Sequence, residues 1–403
     1  MKSELFGDAD GGVFKDSKVL KEDYHPETIE NRDDEIASYQ SAMQPVFDGR
    51  GGSPDNILVY GKAGVGKTAV TRYVTEQLKM EVEHRYGEGT MEVIHHNCNG
   101  DSVYDVFRNL TNHFRGPHEK QFPERGLSLS NATEAFYTEV NSFGGDVVVV
   151  LDEIDHINDS NPLLYELSRA NDNNDLGDSN ISLIGISNNL RFKDSFSSKV
   201  SDSLKETSIK FKPYDANELS DILLTRAEKG LKSDVYSKGI IRLIAALTAN
   251  DEGSARQAID VLNKAAKLCM DDGRLELTED DVHNAKELVE RREIASDLDT
   301  LTDHGQYVLS TVISLDLKGE TPCRSKTVFE TYKQVLEKTD RKPLTTLKSI
   351  QNHLNELQML GFLHRTKKNE GLNGGVYAEY ECTVDPEQLL DLLEKELDIT
   401  FSR

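Results

Sequence analysis

Residues able to bind phosphate occur together near the start of the chain. The segment Gly61-Lys62-Ala63-Gly64-Val65-Gly66-Lys67-Thr68 follows the apolar run 56–60 and precedes a helical pattern over residues 69–78. In such a loop, backbone N–H groups surround phosphate oxygens, the lysine reaches the β- and γ-phosphates, and the threonine hydroxyl is a ligand for Mg²⁺. The pattern predicts nucleotide binding, whereas a glycine-rich turn without a ligand is the structural alternative.

Two carboxylates follow an apolar, β-branched run farther along the chain. Asp152 and Glu153 come directly after Val147-Val148-Val149-Val150-Leu151. At the carboxyl end of a strand beside a phosphate loop, Asp152 can hold Mg²⁺ through water and Glu153 can polarise an attacking water. Capping of the next helix is the alternative role for this pair. The order along the chain favours the catalytic interpretation.

Two further side chains are candidates for contact with a γ-phosphate. Asn188 follows the apolar run 181–186 after one serine. At the end of a strand its side chain can hydrogen-bond the phosphate or the hydrolytic water. The alternative is a turn residue, since asparagine is common in turns. Arg256, in Gly253-Ser254-Ala255-Arg256, lies in the predicted first turn of a helix. Its planar guanidinium pairs with phosphate oxygens, and a solvated surface arginine is the alternative.

Composition restricts the classes of protein that this chain can represent. The 403 residues carry a formal net charge of -24 and are 37% hydrophobic, which indicates two or three globular domains. No run approaches the roughly 20 apolar residues of a membrane span, no secretion leader opens the chain, and the four cysteines are far apart. We therefore expect a cytoplasmic protein without a disulfide framework or zinc site.

Positive charge is concentrated in one region of this acidic chain. Residues 321–370 contain ten Lys or Arg and five Asp or Glu. Because binding to nucleic acid requires clustered cations, the charge argues against binding through the whole surface and favours this region.

Hydrophobic periodicity predicts an α/β base with a parallel sheet, an all-α lid and a C-terminal winged helix-turn-helix domain. Short apolar strands alternate with helices up to residue 186, four amphipathic helices follow residue 213, and the last part combines helices with a basic hairpin. The predicted boundaries are a flexible leader over 1–25, a base over 26–213, a lid over 214–297 and a winged domain over 298–403.

The same periodicity predicts the individual elements. Helices are expected at 33–47, 102–114, 132–142, 163–169, 216–230, 237–250, 254–271, 279–294, 304–315, 326–338, 345–360 and 385–398. Strands are expected at 56–60, 91–95, 147–151, 181–186, 361–364 and 376–381, with residues 367–375 forming the hairpin tip.

Motifs along almost the whole chain resemble those of the archaeal origin-recognition and cell-division-control initiator family. They are Asn31-Arg32-Asp33-Asp34-Glu35, the phosphate loop, Leu151-Asp152-Glu153-Ile154-Asp155, Gly185-Ile186-Ser187-Asn188, Phe211-Lys212-Pro213-Tyr214 and Gly253-Ser254-Ala255-Arg256. The resemblance implies an AAA+ ATPase that initiates DNA replication, uses ATP or ADP with Mg²⁺, and hydrolyses ATP slowly as a switch. Its implied partners are double-stranded origin DNA, the replicative minichromosome maintenance helicase and other initiator paralogues.

The resemblance also implies roles for individual residues. Asn188 matches the first sensor, Arg256 matches the second sensor, Arg32 lies in the segment beside the base, and residues 100–114 match an initiator-specific helix that touches DNA. Implied nucleotide contacts are Arg32, Gly61, Lys62, Ala63, Gly64, Val65, Gly66, Lys67, Thr68, Ala69, Asp152, Tyr214, Arg226 and Arg256, with Thr68 and Asp152 on the metal. Implied catalytic residues are Glu153, Asn188 and Lys199, and implied DNA contacts are Lys348, Ser349, Arg365, Lys367 and Lys368.

The chain departs from the family pattern at positions that matter for hydrolysis and DNA readout. Lys199 stands where the family typically carries an arginine that acts on a neighbouring subunit, and lysine offers a point charge instead of a fork. Lys348-Ser349 replaces a pair of arginines that usually opens the recognition helix, and the wing contains lysines where arginine is frequent. These departures indicate weak or altered origin preference and a divergent paralogue.

A second function class shares every candidate site residue. A nucleotide-gated DNA-binding regulator without helicase-loading activity would require the same phosphate loop and the same basic module. A clamp-loader subunit is less favoured, because such chains end in a helical collar instead of a winged domain.

Overall fold

The structure, a computed structural model, describes residues 12–48, 55–116, 118–172, 176–337, 341–369 and 376–397. The chain forms two compact units, Met1–Ala285 and Lys286–Arg403. Among the described residues, no helix is both long and apolar enough to cross a lipid bilayer.

A parallel sheet forms the centre of the first unit. Its strands in the described part of the chain are β1 Ile57–Tyr60, β2 Met91–Asn97, β3 Asp146–Asp152, β4 Asn180–Ser187 and β5 Thr207–Lys210, in the order β2-β3-β4-β1-β5. Four of these strands were predicted. The edge strand β5 was not, because it buries only Ile209 among polar residues and therefore forms no apolar run.

Helices cover both faces of this sheet. They are α1 Asp33–Asp48, α2 Lys67–Tyr86, α3 Val103–Phe114, α4 Leu129–Phe143, α5 Asn161–Arg169 and α6 Ser198–Leu204. Side chains of β3 alternate between the two cores: Val147 and Val149 pack with Phe107 and Phe136, whereas Val150 packs with Tyr39. Burial on both faces explains why β3 reads as a continuous apolar run.

Strand register brings the predicted chemical residues to one edge of the sheet. Asn97 at the end of β2 pairs with Asp152, Leu151 pairs with Gly185 on β4, and Tyr60 pairs with Ser187. The residues that follow β1, β3 and β4 therefore emerge side by side.

Four helices follow the sheet, as the periodicity predicted. They are α7 Ala216–Gly230, α8 Lys238–Asp251, α9 Ala255–Asp271 and α10 Glu279–Thr300. A reciprocal capping box between Asp215 and Glu218 starts α7. Helix α10 runs beyond its predicted end at 294 and crosses the boundary between the two units.

The described part of the predicted flexible leader is packed, which corrects that prediction for residues 12–25. Val13 and Leu20 are fully buried, and the backbone N–H of Lys15 donates to the Gly230 carbonyl at 2.9 Å. An isolated β-bridge joins Phe14 to Leu231. The segment packs through a few apolar side chains among many polar ones. Its composition is therefore that of a flexible leader although it is ordered. Residues 1–11 lie outside the described part.

The second unit combines helices with a small antiparallel sheet. Its elements after α10 are α11 Asp303–Leu317, β6 Cys323–Arg324, α12 Ser325–Leu336, α13 Leu347–Met359, β7 Leu363–Asn369, β8 Val376–Cys382 and α14 Pro386–Leu397. The described strands have the order β6-β8-β7, and β7 and β8 form the predicted hairpin. Buried Tyr307, Tyr332 and Leu354 belong to its core. Residues 367–369, predicted as part of the hairpin tip, instead belong to β7, because an exposed polar strand arm shows no apolar alternation. Residues 370–375 of the predicted tip lie outside the described part. Strand β6 was not predicted because it has two residues.

Candidate nucleotide site and DNA-facing residues

The phosphate loop connects β1 to α2, and its glycines have backbone conformations that other residues avoid. Gly64 and Gly66 have φ angles of +73° and +91°. A Cβ atom on Gly64 would lie 2.0 Å from the Ser254 hydroxyl oxygen, and one on Gly66 would lie 2.9 Å from the Tyr214 hydroxyl oxygen. The loop therefore needs glycine both for its conformation and for close approach of the lid.

Lys67 is buried beneath the loop and already contacts the predicted first sensor. Its Nζ donates to the carbonyls of Gly61 at 2.8 Å and Lys62 at 2.6 Å, and to Oδ1 of Asn188 at 2.7 Å. Burial lowers the pKa of Lys67 to about 8, and the nearby carboxylate of Asp152 opposes that shift. A loop lysine and the end of β4 thus form one polar cluster.

Oxygen ligands suited to Mg²⁺ lie beside this cluster. The Thr68 hydroxyl donates to Oδ2 of Asp152 at 2.6 Å. Hydroxyl and carboxylate oxygens are the ligands that Mg²⁺ prefers, so this pair fits the predicted ion. Neighbouring Glu153 has a left-handed backbone, with φ 54°, and its N–H donates to Oδ1 of Asp152 at 2.9 Å.

The lid supplies residues to the same cleft. The backbone N–H of Ala255 donates to the Gly64 carbonyl at 3.0 Å, which places the first turn of α9 against the phosphate loop. Arg256, the predicted second sensor, lies in that turn and forms a 3.0 Å ion pair with Glu22 of the N-terminal segment. Both side chains are more than half exposed. Arg256 is therefore at the cleft, paired with a carboxylate of the same chain.

A cavity of about 410 Å³ opens between these elements. Its volume is in the range typical of small-molecule sites, roughly 300–1,000 Å³. Predicted residues in its lining are Ala63, Gly64, Gly66, Lys67, Thr68, Ala69, Asp152, Glu153, Asn188, Tyr214, Arg226 and Arg256. The glycine cradle, the lysine and the oxygen ligands together fit a nucleotide with its Mg²⁺.

The cavity is also lined by residues that no sequence motif indicated. Tyr24, His25, Ile29, Ile222 and Ile259 line it. Arg226 stacks on Tyr24, with its guanidinium carbon 4.5 Å from the ring centroid, and donates to the Val19 carbonyl at 3.0 Å. Burial lowers the pKa of Arg226. No sequence motif connected Tyr24 or His25 to nucleotide binding.

Four of the predicted nucleotide contacts do not line the cavity. Arg32 is buried behind the loop, where it donates to the carbonyls of Val65 at 2.9 Å and Lys212 at 2.8 Å and stacks on Tyr214. Gly61 and Val65 belong to the loop backbone. Lys62 extends to Glu252 of the lid, 3.4 Å away. Arg32 thus holds the loop from behind, while residues 28–30 just before it line the cavity.

Lys199, predicted to act on a neighbouring subunit, lies outside the cavity. It is exposed on α6, and its backbone carbonyl accepts a hydrogen bond from Ser203 at 2.9 Å. An exposed position on a short helix is compatible with a role in trans, which stays a prediction.

The residues predicted to contact DNA are distributed over two elements of the second unit. Lys348 is exposed in the first turn of α13, whereas the hydroxyl of Ser349 is 2.8 Å from that of the helix-capping Thr346. Arg365, Lys367 and Lys368 are exposed on β7. Because side chains alternate along a strand, Lys367 and Lys368 lie on opposite faces of the hairpin. These contacts stay predictions.

The helix predicted to touch DNA in the first unit is α3. A capping box between Ser102 and Asp105 starts it, and its buried side packs on the sheet through Val106 and Phe107. Its basic side chain Arg108 lies 2.9 Å from Asp105. A contact of Arg108 with DNA would therefore compete with its acidic partner Asp105.

Comparisons with known proteins agree with this architecture. Three family models match: an AAA domain over residues 50–192, a Cdc6 AAA+ ATPase-type lid domain over 220–287, and a CDC6 C-terminal winged helix domain over 296–392. They confirm the predicted fold class, an α/β AAA+ core followed by a helical lid and a winged helix domain.

Similar proteins of known sequence cover almost the whole chain. ORC1-type DNA replication protein 8 of Halobacterium salinarum is 43% identical over 96% of this chain and 97% of its own length. ORC1-type DNA replication protein 11 of Haloarcula marismortui is 40% identical over 96% of this chain and 93% of its own. A solved structure of the Aeropyrum pernix ORC1 protein in complex with DNA matches with a TM-score of 0.80 and 28% identity, over 96% of this chain and 97% of that one.

Proposed function

This chain belongs to the family of ORC1-type DNA replication proteins, and we propose that it initiates replication as a nucleotide-controlled, DNA-binding ATPase. In this proposal it binds double-stranded origin DNA and recruits the minichromosome maintenance helicase, with exchange between ATP and ADP as the switch. The observation that carries the proposal is the convergence of Lys67, Asp152, Asn188 and Arg256 on one cavity.

Each of the polar residues that line the cavity would make a different contact with the nucleotide phosphates or with Mg²⁺. Lys67 would turn its ammonium group from the loop carbonyls and Asn188 toward the β- and γ-phosphates, with the loop N–H groups around them. Thr68 and Asp152 would hold Mg²⁺, which neutralises charge on the phosphate oxygens when it is bound. Asn188, whose Oδ1 is 2.7 Å from the Lys67 Nζ, would hydrogen-bond the terminal phosphate.

Hydrolysis would depend on Glu153. Its left-handed backbone turns the residue away from the direction of β3 at the point where the sheet edge meets the cavity. Such a conformation costs on the order of 1–3 kcal/mol and is found preferentially at functional sites. We assign to Glu153 the role of orienting and polarising the attacking water.

The lid would report the nucleotide state. Arg256 is bound to Glu22, and a γ-phosphate would compete with that carboxylate for the same guanidinium. Because Arg256 lies in the first turn of α9, and α9 contacts the phosphate loop through Ala255, a change of partner would act on the lid directly.

DNA binding would use the basic positions of the second unit together with α3. Support for this part comes from the similar protein whose solved structure is a complex with DNA and from the concentration of positive charge in residues 321–370. Lys348, Lys367 and Lys368 are exposed, as contacts to phosphates require.

Nucleotide binding is tested with Lys67→Ala. We expect at least a tenfold loss of ATP affinity in equilibrium titration, because the variant lacks the loop ammonium that would bind the phosphates. A charge-assisted hydrogen bond contributes about 1.5–3 kcal/mol. Lys79→Ala serves as the control, since Lys79 is on the same helix but pairs with Glu92 outside the cavity. Unchanged affinity in Lys67→Ala would refute the proposal.

Helicase recruitment is tested by capture of the helicase on immobilised protein and origin DNA with ATP or with ADP. Capture in one nucleotide state, abolished in Lys67→Ala, is the expected result. Nucleotide-dependent DNA binding without capture in either state would instead identify a DNA-binding regulator of the second function class.

A further inference from the structure

Glu153 has a histidine neighbour outside the phosphate loop and the sensors. The imidazole of His156 lies one turn of 3-10 helix beyond it, with Nδ1 3.9 Å from Oε2 of Glu153. The same Nδ1 is 3.1 Å from Oδ1 of Asn99 in the loop between β2 and α3. One ring nitrogen therefore faces both the predicted catalytic carboxylate and a side chain from another strand end.

We propose that His156 is a positioning residue for Glu153 and that Asn99 fixes the orientation of the His156 ring. The inference rests on the proposed ATPase function, because it assigns the group that holds the carboxylate of that reaction. It adds two residues that belong to neither the phosphate loop nor the sensors.

Both ends of this contact are anchored by the backbone. The N–H of His156 donates to the Glu153 carbonyl at 2.9 Å, so the two residues belong to the same tight turn. On the other side, the N–H of Cys98 donates to the Asp152 carbonyl at 2.8 Å, and the N–H of Asn99 donates to Oδ1 of Asn97 at 2.9 Å. The loop carrying Asn99 is thereby attached to the strand end that carries Glu153.

The hydrogen-bond partner also determines which nitrogen carries the proton. Because Oδ1 of Asn99 accepts, Nδ1 of His156 is the donor, and its N–H is directed to the space shared by Asn99 and Glu153. A separation of 3.9 Å is too long for a hydrogen bond to Glu153, but such distances often shorten when substrate binds. The ring would then limit the rotation of a carboxylate that is 30% exposed.

A positioning role predicts reduced turnover with unchanged binding. A catalytic group displaced by about 1 Å can lose up to about 100-fold in rate, and we expect His156→Leu to lower kcat about tenfold, with ATP affinity and KM unchanged. His156→Asn should recover kcat to within about threefold of wild type, since its amide nitrogen stands near the position of Nδ1 and can donate. Asn99→Ala should show a smaller reduction, about threefold.

The experiment measures kcat, KM, ATP affinity and thermal unfolding in the full-length protein, with His283→Leu as the control. His283 is an exposed histidine of α10, so its replacement should leave all four unchanged. His156→Leu is also combined with Glu153→Gln. If His156 acts through Glu153, the double variant should turn over ATP no more slowly than Glu153→Gln alone.

Several outcomes would overturn the inference. One is wild-type kcat in His156→Leu, another is a reduction that persists at full size in the Glu153→Gln background, and a third is failure of His156→Asn to recover kcat although it folds. Wild-type protein that binds ATP but turns over no faster than Glu153→Gln would overturn the proposed hydrolysis as well. Normal wild-type turnover with unaffected variants would overturn the positioning role alone.

Discussion

Lys67 combines two requirements that oppose each other. Its ammonium must be protonated to bind phosphate, yet burial lowers its pKa to about 8 in the ligand-free protein. Phosphate oxygens beside the ammonium would raise this pKa again, so nucleotide binding and proton uptake should be coupled. Lys67 is therefore the residue at which pH should act on nucleotide affinity.

The predicted pH dependence has a defined sign. Below about pH 8 Lys67 is already charged in the free protein, so its protonation should not make ATP affinity depend on pH. Above that value, binding must first protonate Lys67, so affinity should fall by up to about tenfold per pH unit. Titration with ATP between about pH 6.5 and about pH 9.5 at constant ionic strength measures the effect.

Lys67→Arg is the matched control for this prediction. An arginine remains charged over the whole range, so the variant should bind more weakly but with affinity independent of pH above about 8. A wild-type curve as flat as that of Lys67→Arg would contradict the coupling.

The contacts of single residues could be predicted from the sequence where the residue belongs to a motif at the end of a predicted strand. The contacts of Lys67 with Asn188 and of Thr68 with Asp152 follow from the rule that parallel strands present their carboxyl ends at one edge. The ion pair between Arg256 and Glu22 could not be predicted from the sequence. It joins residues far apart in the chain and depends on how the N-terminal segment packs.

The contact between the phosphate loop and the lid depends on a glycine. Gly64 accepts a hydrogen bond from Ala255, and its Cα faces the Ser254 hydroxyl so closely that a Cβ would lie 2.0 Å away. We expect Gly64→Ala to displace α9, to lower the melting temperature and to weaken ATP binding by at least about tenfold, since overpacking costs roughly 1–3 kcal/mol in addition to backbone strain.

Gly89→Ala separates the two causes. Gly89 has a nearly identical φ of +76°, but a Cβ there meets nothing within 4 Å. The control should therefore show only backbone strain, about 1 kcal/mol of stability, with normal ATP affinity. Equal effects of the two substitutions in calorimetry and ATP titration would contradict a steric role for the lid.

Elements were predictable when they bury a continuous apolar run or a regular helical face. Strand β3 and helix α7 are examples, with α7 matching its prediction at both ends. Strand β5 and residues 12–25 were missed for a common reason. Each buries one or a few side chains within a polar segment, and its place is determined by backbone hydrogen bonds to distant parts of the chain.

Net charge should make DNA binding by the whole molecule unusually dependent on a few cations. The chain carries -24, while the predicted contacts Lys348, Lys367 and Lys368 lie in its basic region. Replacing these three lysines by alanine should weaken binding and reduce the slope of log affinity against log salt by about 0.9 for each phosphate that is no longer neutralised.

The control is Lys267→Ala, an exposed lysine on α9 of the lid. Fluorescence anisotropy with duplex DNA at several salt concentrations gives both affinity and slope. The same slope in the triple variant and in Lys267→Ala would remove the second unit's lysines from the proposed DNA interface. Because β7 places Lys367 and Lys368 on opposite faces, we expect the two single variants to differ in effect.

The predicted role of Lys199 requires contact between two copies of the chain. It is exposed and outside the cavity of its own chain, so it could act only on the nucleotide of a neighbouring copy. In that case Lys199→Ala and Glu153→Gln should each be inactive alone, whereas a mixture should recover turnover, since the Glu153→Gln copy supplies Lys199 to the intact site of the other. Lys199→Arg should turn over ATP faster than the wild type, because a guanidinium fork pairs with phosphate oxygens better than the point charge of lysine does. Absence of recovery in the mixture, measured as ATP turnover on DNA across mixing ratios, would show that hydrolysis needs no lysine from a neighbour.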